Sequence, residues 1–469
     1  VPEIDRTVMP DPRDVVVVGG GFAGLSAAVA LADAGFRVAV LERKPKLGGR
    51  AYSFKDPEGG DWIDNGQHVM MGCYTQTFDF LKKIGTYDKL VFRDRIEMEM
   101  VAANGERGRI KAGYLPGPLH MVSALMRYSM LSFGERVSVL KAGAWLIAQA
   151  RLRRNRLEHT TVSAALKELG QSDRACERFW YPLAIATLNE EPDKASAALL
   201  AEVWKRAFFG RRRDSAFVYS KVGLSDLYCQ AAEDFIEQRG GFVAAHTGVD
   251  RLELDGNHAV GCVRLRDGKK VEAANFISAV PAGALLAMLP APLQDEPFFT
   301  RLTQLRPSPI ICVHVWLDRE VTDCAFVGFI GSTTQWLFNK RAIFSERGSE
   351  QGGYLSFVIS GARALVERTN EQLLDLVLDD LHKMIPASRD ARLIKALVIK
   401  EKQATIAPDC ESDRLRPGSD TPIDNLFLAG DWIQTGLPAT IESAVISGCA
   451  AAAAVKKRVG PISPVPVLE

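Results

Sequence analysis

The chain has 469 residues, 47% of them hydrophobic and 25% charged, and 58 Lys and Arg against 57 Asp and Glu leave a formal net charge of +1. That much apolar sequence excludes a disordered chain, and the near-neutral balance excludes a protein that grips nucleic acid by neutralising phosphates. With no run of 18 apolar residues, nothing is expected to cross a bilayer as a helix, and at ~150 residues per domain two intertwined domains are the prior.

The opening residues 1–14 are acidic and interrupted by proline, without the apolar centre of a signal peptide. The eight cysteines stand singly, with no C-x-x-C, so neither a redox pair nor a zinc site is signalled and no metal is expected. Scattered cysteines read as apolar filler in a reducing, cytoplasmic setting.

Val15–Val18 is a short β-branched run, as for a strand buried on both faces. Gly19-Gly20-Gly21-Phe22-Ala23-Gly24 follows, then an Ala/Leu-rich helix from Leu25 to Ala34 closed by Gly35, then a second strand from Arg37 to Glu42. This is a βαβ unit with G-x-G-x-x-G at its turn. Gly19 permits the tight turn, Gly21 lets backbone approach a pyrophosphate, and Gly24 lets helix and strand pack closely. Glu42 lies 18 residues past Gly24, near the position, about 20 residues on, of a ribose-binding acid. Gly48-Gly49-Arg50 adds flexible backbone beside a cation, suited to a diphosphate. Next, Asp61-Trp62-Ile63 is strand-like and leads into the polar turn Asp64-Asn65-Gly66-Gln67-His68. His68 reads either as a group at a cofactor or substrate mouth or as a turn histidine, and Asp64 as a turn carboxylate.

Residues 86–224 read as mostly helical, with Arg clusters at 151–156 and 211–213. Leu119 to Met130 is a Met/Leu-rich helix, and Ser132-Phe133-Gly134-Glu135 is a capping box opening another that runs to about Arg154. Gly248–Leu254, Ala259–Leu265 and Lys270–Ala279 read as strands, the first two joined through Asp255-Gly256-Asn257. Further strands are expected at 310–317, 325–330 and 354–359, with a helix at 370–384. His314, inside an apolar strand, reads as a core histidine. Asn189-Glu190-Glu191 before Pro192 reads as a helix end, with proton chemistry as the alternative. Trp180, Trp204, Trp316 and Trp336 read as core or as the wall of a substrate tunnel. Near the end, Asn425–Leu428 is a strand running into Ala429-Gly430-Asp431, and a helix opens at Thr440 and continues through Ala454. A carboxylate after a glycine at a strand end suits Asp431 to the hydroxyls of a bound ligand.

Together the Gly19/Gly21/Gly24 turn, Glu42, Gly48-Gly49-Arg50 and the Leu428-Ala429-Gly430-Asp431 strand end resemble the FAD-dependent amine oxidase/phytoene desaturase superfamily. Asp64–His68, Phe179-Trp180-Tyr181-Pro182-Leu183-Ala184 with Leu188-Asn189, and Thr435–Glu442 are similar to its squalene-associated desaturases. That group includes the hydroxysqualene dehydroxylases of bacterial hopanoid biosynthesis. The lysine that amine oxidases place near the flavin has no counterpart on the strand Arg306–Asp318.

The resemblance implies an α/β plus α+β fold. A Rossmann-like FAD-binding domain (1–85, 225–290, 395–458) would interleave with a mixed-sheet and helical substrate domain (86–224, 291–394), leaving a tail at 459–469. It implies non-covalent FAD held by Gly19, Gly21, Phe22, Ala23, Gly24, Glu42, Arg43, Gly48, Gly49, Arg50, Val249, Gly430, Asp431, Ala439 and Thr440. The implied reaction is reduction of hydroxysqualene to squalene with loss of water, with His68 as the nominee for proton donor. A carotenoid desaturase or isoprenoid oxidase and a flavin-free prenyl-binding escort protein of the same fold are the alternatives. An isoprenoid or triterpene substrate implies peripheral membrane contact through 116–156. There Leu119, Met121, Leu125, Met126, Met130, Leu131 and Phe133 would be the apolar surface and Arg151, Arg153, Arg154 and Arg156 the cationic edge; the alternative is that these helices are ordinary core. Substrate length, reductant and oligomeric state have no signature in the sequence.

Overall fold

In the computed structural model, which describes residues 13–152, 157–256, 258–344 and 352–460, the valine run lies at the centre of a seven-stranded sheet. The strand Arg13–Val18 pairs in parallel with Val38–Leu41 on one side and with Lys270–Ser278 on the other. Val15 and Val17 face one apolar cluster, and Val16 and Val18 face another, so the strand is buried on both faces. Phe242–Ala244 extends the sheet beyond Val38–Leu41. Lys270–Ser278 pairs with Leu426–Leu428 in parallel and with Val260–Leu265 antiparallel, and Val249–Leu254 closes that edge.

Three helices, Phe22–Ala32, Leu224–Glu237 and Ile441–Val459, cover one face. Small residues let the first and last approach closely: a Cβ at Gly448 would press into the Ala23 carbonyl. The last helix opens at Thr440, whose side chain accepts from the Ser443 N–H, as expected of an N-cap.

A second seven-stranded sheet carries, in spatial order, Leu393–Ile406, Pro307–Leu317, Gly353–Ile359, Trp336–Asn339, Phe326–Ile330, Glu97–Ala102 and Arg107–Lys111. The helix Asn370–Met384 packs on it through Leu373, Val377 and Leu381.

The sheets refine three expectations. First, residues 86–224, helical over about half their described length, also hold strands at Leu90–Phe92, Glu97–Ala102, Arg107–Lys111 and Phe217–Ser220, the first and last of these in a separate three-stranded sheet. Glu and Met favour helix, but Glu97-Met98-Glu99-Met100 alternates with period two, and its glutamates meet Arg107, Arg109 and Lys111 across the ladder. Second, the FAD segment drawn from 395 begins inside Leu393–Ile406, a strand of the second sheet paired with Pro307–Leu317. Third, Leu293, Phe299 and Leu302, placed beyond 290 in the substrate half, pack in the core of the first sheet.

The helix read as Leu119–Met130 ends at Met126. The Arg136 guanidinium, one helix later, takes the Met126 carbonyl at 2.7 Å and the Leu131 carbonyl at 2.8 Å, which ends the helix and fixes the corner. The Ser132/Glu135 capping box forms as expected. Of the apolar surface expected over 116–156, Met121, Leu125, Met130 and Leu131 are buried core, while Leu119 is 51% and Phe133 68% exposed. The arginines at 151–156 lie outside the residues whose side chains are described. Among the described residues, no helix is long and apolar enough to cross a membrane.

Candidate functional site

The three glycines of the first turn do three different jobs. Gly19 has φ +111°, where an L side chain is strained. A Cβ at Gly24 would overlap the Gly19 carbonyl, so helix and strand meet only through glycine. A Cβ at Gly21 would meet nothing closer than 3.7 Å; it would stand in the cavity, opposite Gly49. The helix Phe22–Ala32 starts there, and its first N–H groups have no partner within the helix. Backbone donors, an open glycine cradle and a helix N-terminus together fit a pyrophosphate. The Phe22 side chain, by contrast, is core, stacked on Tyr228 at 3.7 Å.

Glu42 is 6% exposed, and its two carboxylate oxygens accept from the backbone N–H of Gly20 and of Lys44, each at 2.8 Å. Each oxygen keeps acceptor capacity beyond the turn it shapes, of the kind a ribose hydroxyl would use. Arg43, Val249, Ala439 and Thr440 line the same cavity. Arg50 and Asp431, each read separately as a cofactor ligand, are bonded to one another at 2.6 Å, and Arg50 also reaches the Ala404 carbonyl at 3.0 Å. The guanidinium therefore ties the Gly48–Arg50 turn to the Gly430–Asp431 turn and to the long strand of the second sheet.

Gly19, Gly21, Glu42, Gly49, Arg50 and Asp431 line one cavity of about 1020 Å³. Single-ligand sites run roughly 300–1,000 Å³, so this cavity stands at the top of that range. Beyond the cradle the wall becomes apolar: Ile96, Met98, Met100, Ile110, Met121 and Leu183, with Phe217, Phe326, Trp336 and Phe338. Trp204 also lines it, whereas Trp180 and Trp316 are fully buried core.

His68 lines this cavity, and its buried Nε2 has no hydrogen-bond partner. Burial, first, and the charge of Lys340 lower its proton affinity, against the opposing pull of Asp64. His314 is a satisfied core histidine: Nε2 meets the Asp64 carbonyl at 3.1 Å and Nδ1 the Tyr354 hydroxyl at 3.0 Å. Asn189 sits at φ 56° as a helix C-cap, bonded to Ser308, Thr405 and Gly361, and Glu190 pairs with Arg363. Both therefore read as a structural helix end. All eight cysteines are free, and burial pushes the cavity-facing Cys73 thiol up to about 12, leaving it inert.

Sequence reasoning missed two buried cations. Arg416, 5% exposed, donates to the Asp431 carbonyl at 3.0 Å and the Leu437 carbonyl at 2.6 Å. Lys340, 1% exposed, meets Asp64 and Gln67. Both stand in ordinary polar sequence, with no motif to mark them as interior.

A dinucleotide cradle that opens into an apolar chamber within a two-sheet fold is the architecture of a flavin-dependent oxidoreductase. The chain belongs to the family of flavin-containing amine oxidoreductases, whose model matches residues 22–456. It is 30% identical over 449 residues to the hydroxysqualene dehydroxylase of Rhodopseudomonas palustris, covering 94% of this chain and 97% of that one. It is 27% identical over 459 residues to the 15-cis-phytoene desaturase of Capsicum annuum, covering 93% of this chain and 76% of that one. An oxidoreductase structure from Methanosarcina mazei superposes with a TM-score of 0.73 at 16% identity, covering 93% of this chain and 98% of that one. The protein is thus an FAD-dependent oxidoreductase of the phytoene desaturase/hydroxysqualene dehydroxylase group, which sets aside the flavin-free escort reading.

Proposed function

We propose that the protein reduces hydroxysqualene to squalene, the hydroxyl leaving as water. The observation that carries this reading is the single cavity that runs from the glycine cradle into a methionine- and aromatic-lined chamber, with His68 as an unpartnered polar atom in its wall. Bound FAD, once reduced by an external electron donor, would supply the hydride. The chain's own groups do the rest. Gly21, Gly49 and the start of the first helix seat the pyrophosphate, and Glu42 the ribose. The N-terminus of the helix at Thr440 directs its positive end toward the flavin side of the cavity, favouring negative charge there. The apolar chamber excludes water from the allylic carbon as cationic character develops. Hydroxide leaves poorly, so a proton must reach that oxygen, and we assign its delivery to His68.

Photoreduced protein mixed anaerobically with hydroxysqualene should reoxidise as squalene forms, with hydride and proton balancing the lost hydroxyl. The phytoene desaturase relatives favour a second reading. Desaturation of phytoene by the oxidised protein, without hydroxysqualene turnover, would establish it and overturn the first.

An insoluble substrate also needs a membrane to leave. Tyr114, Leu115 and Leu119 are 67%, 48% and 51% exposed at the start of the helix Leu119–Met126. Arg95 and Arg212 stack on the Tyr114 ring at 4.5 and 5.2 Å, and Arg211 and Arg213 stand exposed beside Arg212. The same helix turns Met121 inward to the chamber. We assign this patch to the surface of an anionic bilayer.

A further inference from the structure

Behind the Asp64–His68 turn lies a buried polar cluster to which the proposed chemistry gives no role. Lys340 begins a short helix, Lys340–Ile343, directly after the strand Trp336–Asn339. Its Nζ donates to Asp64 Oδ2 at 2.9 Å and to Gln67 Oε1 at 2.6 Å, and lies 4.1 Å over the Phe344 ring. Asp64 is 3% exposed, and its other carboxylate oxygen accepts from Ser53 Oγ at 2.5 Å. The Asp64 carbonyl meets His314 Nε2. The neighbouring Arg341 makes a second buried pair, Nη2 to Asp61 Oδ2 at 3.0 Å, at the other end of the strand Trp62–Asp64. Two consecutive cations from the second sheet therefore hold both ends of a strand whose next residues enter the cavity wall.

Burying an ammonium is costly unless it is paired and fully bonded. A leucine would hold the same space without that cost, so the charge at position 340 calls for a role beyond packing. Gln67 and Asp64 are three residues apart, and one ammonium bridging them closes the turn into a ring. His68 is the next residue, and its Nε2 faces no protein partner. We propose that Lys340 is a positioning residue for His68. By bonding Asp64 and Gln67 at once it locks the turn so that the imidazole stands in the chamber wall, aimed at an oxygen on an otherwise hydrocarbon ligand. The consequence for turnover rests on the role given to His68 above; the geometry does not.

The charged and titratable groups around His68 are Asp64 and Lys340, with His314, Tyr354 and Cys312 behind them. Lys340 lowers the proton affinity of His68 and Asp64 raises it. The test uses the flavin-loaded full chain and the imidazole NMR signal of His68, assigned by its loss in His68→Gln. Lys340→Met should displace that signal and move its titration midpoint upward, and Lys340→Arg should restore both. Because Lys340→Met strands a buried carboxylate, the double variant Asp64→Asn/Lys340→Met, which removes both charges, guards against misfolding. It should keep its flavin yet show a broadened or displaced His68 signal. A His68 signal and midpoint unchanged in the folded double variant would overturn the proposal. None of these readouts contains substrate, so failure of hydroxysqualene turnover in the wild type would sink the functional reading and leave this one standing.

Discussion

Gly21 and Gly24 lie three residues apart, and substitution separates their roles. At Gly21 a methyl group meets only ordinary contacts in the protein but occupies the cradle, so Gly21→Ala should fold normally and lose flavin on gel filtration. At Gly24 the methyl group would collide with the Gly19 carbonyl, so Gly24→Ala should destabilise the whole domain by about 1–3 kcal/mol. Absorbance near the flavin band against urea midpoints distinguishes the two; equal flavin retention in Gly21→Ala and wild type would refute the cradle. His314 illustrates the other extreme, a polar residue wholly committed to the core. Burial, reinforced by Lys340, pushes its value down to about 3, below the ordinary histidine value of about 6.5 in the unfolded chain. The unfolded state therefore binds the extra proton first. The stability that His314 contributes is fully present above about 6.5 and is lost as pH falls toward about 3. His314→Asn should be the less stable protein at pH 8, and the gap to wild type should narrow through that acid window in urea titrations at several pH values.

Among the elements, the segment between Asp431 and Pro438 carries neither helix nor strand and borders the cavity. It is held from behind by Arg416, which reaches the carbonyls of Asp431, Trp432, Ile433 and Leu437 and also pairs with Asp413 at 3.3 Å. One planar guanidinium with five donors suits several converging carbonyls in a way an ammonium does not. Arg416→Met should cost on the order of 3–5 kcal/mol, as for removal of one partner from a buried charged network. Arg416→Lys should recover only part of that. If FAD affinity in Arg416→Met stays at the wild-type value while stability falls, the turn is structural but does not shape the flavin side. The glutamates of Glu97–Ala102 teach the same lesson for a strand: ion pairs across the ladder override a local preference for helix.

Across the whole molecule, the cavity is lined from both large sheets, and cationic side chains tie together the segments around it. Arg50 reaches from the Gly48–Arg50 turn to the strand Leu393–Ile406, while Lys340 and Arg341, just past the strand Trp336–Asn339, reach to Asp64 and Asp61. Met121 of the helix Leu119–Met126 lines the apolar chamber, and Leu119 of the same helix, with Tyr114 and Leu115 ahead of it and their arginines, forms the exposed patch. Flotation with phosphatidylglycerol vesicles should lift the wild-type protein, and the triple change Tyr114→Ser, Leu115→Ser and Leu119→Ser should leave most of it at the bottom. Salt should weaken the wild-type binding, since the cationic share is screened over about 10 Å at 0.1 M. Wild type that stays at the bottom at low salt would refute the surface assigned here.

The glycine turn at the head of the cavity was legible in the sequence because its requirements are local. A buried strand, three spaced glycines, a helix and a terminal acid lie within residues 15–42, and backbone geometry leaves little else for that order to build. The N-cap at Thr440 and the box at Ser132 and Glu135 are local in the same sense, and both form. What depends on partners far along the chain was not legible. Arg50 meets Asp431 across 381 positions and Lys340 meets Asp64 across 276, and nothing near either cation announces the carboxylate waiting for it. Likewise Met121 and Leu119 belong to one helix of similar apolar residues, yet one faces the chamber and the other is exposed. Hydrophobicity gave the helix its apolar character; only the packing of the second sheet against it decided which side is core and which is surface.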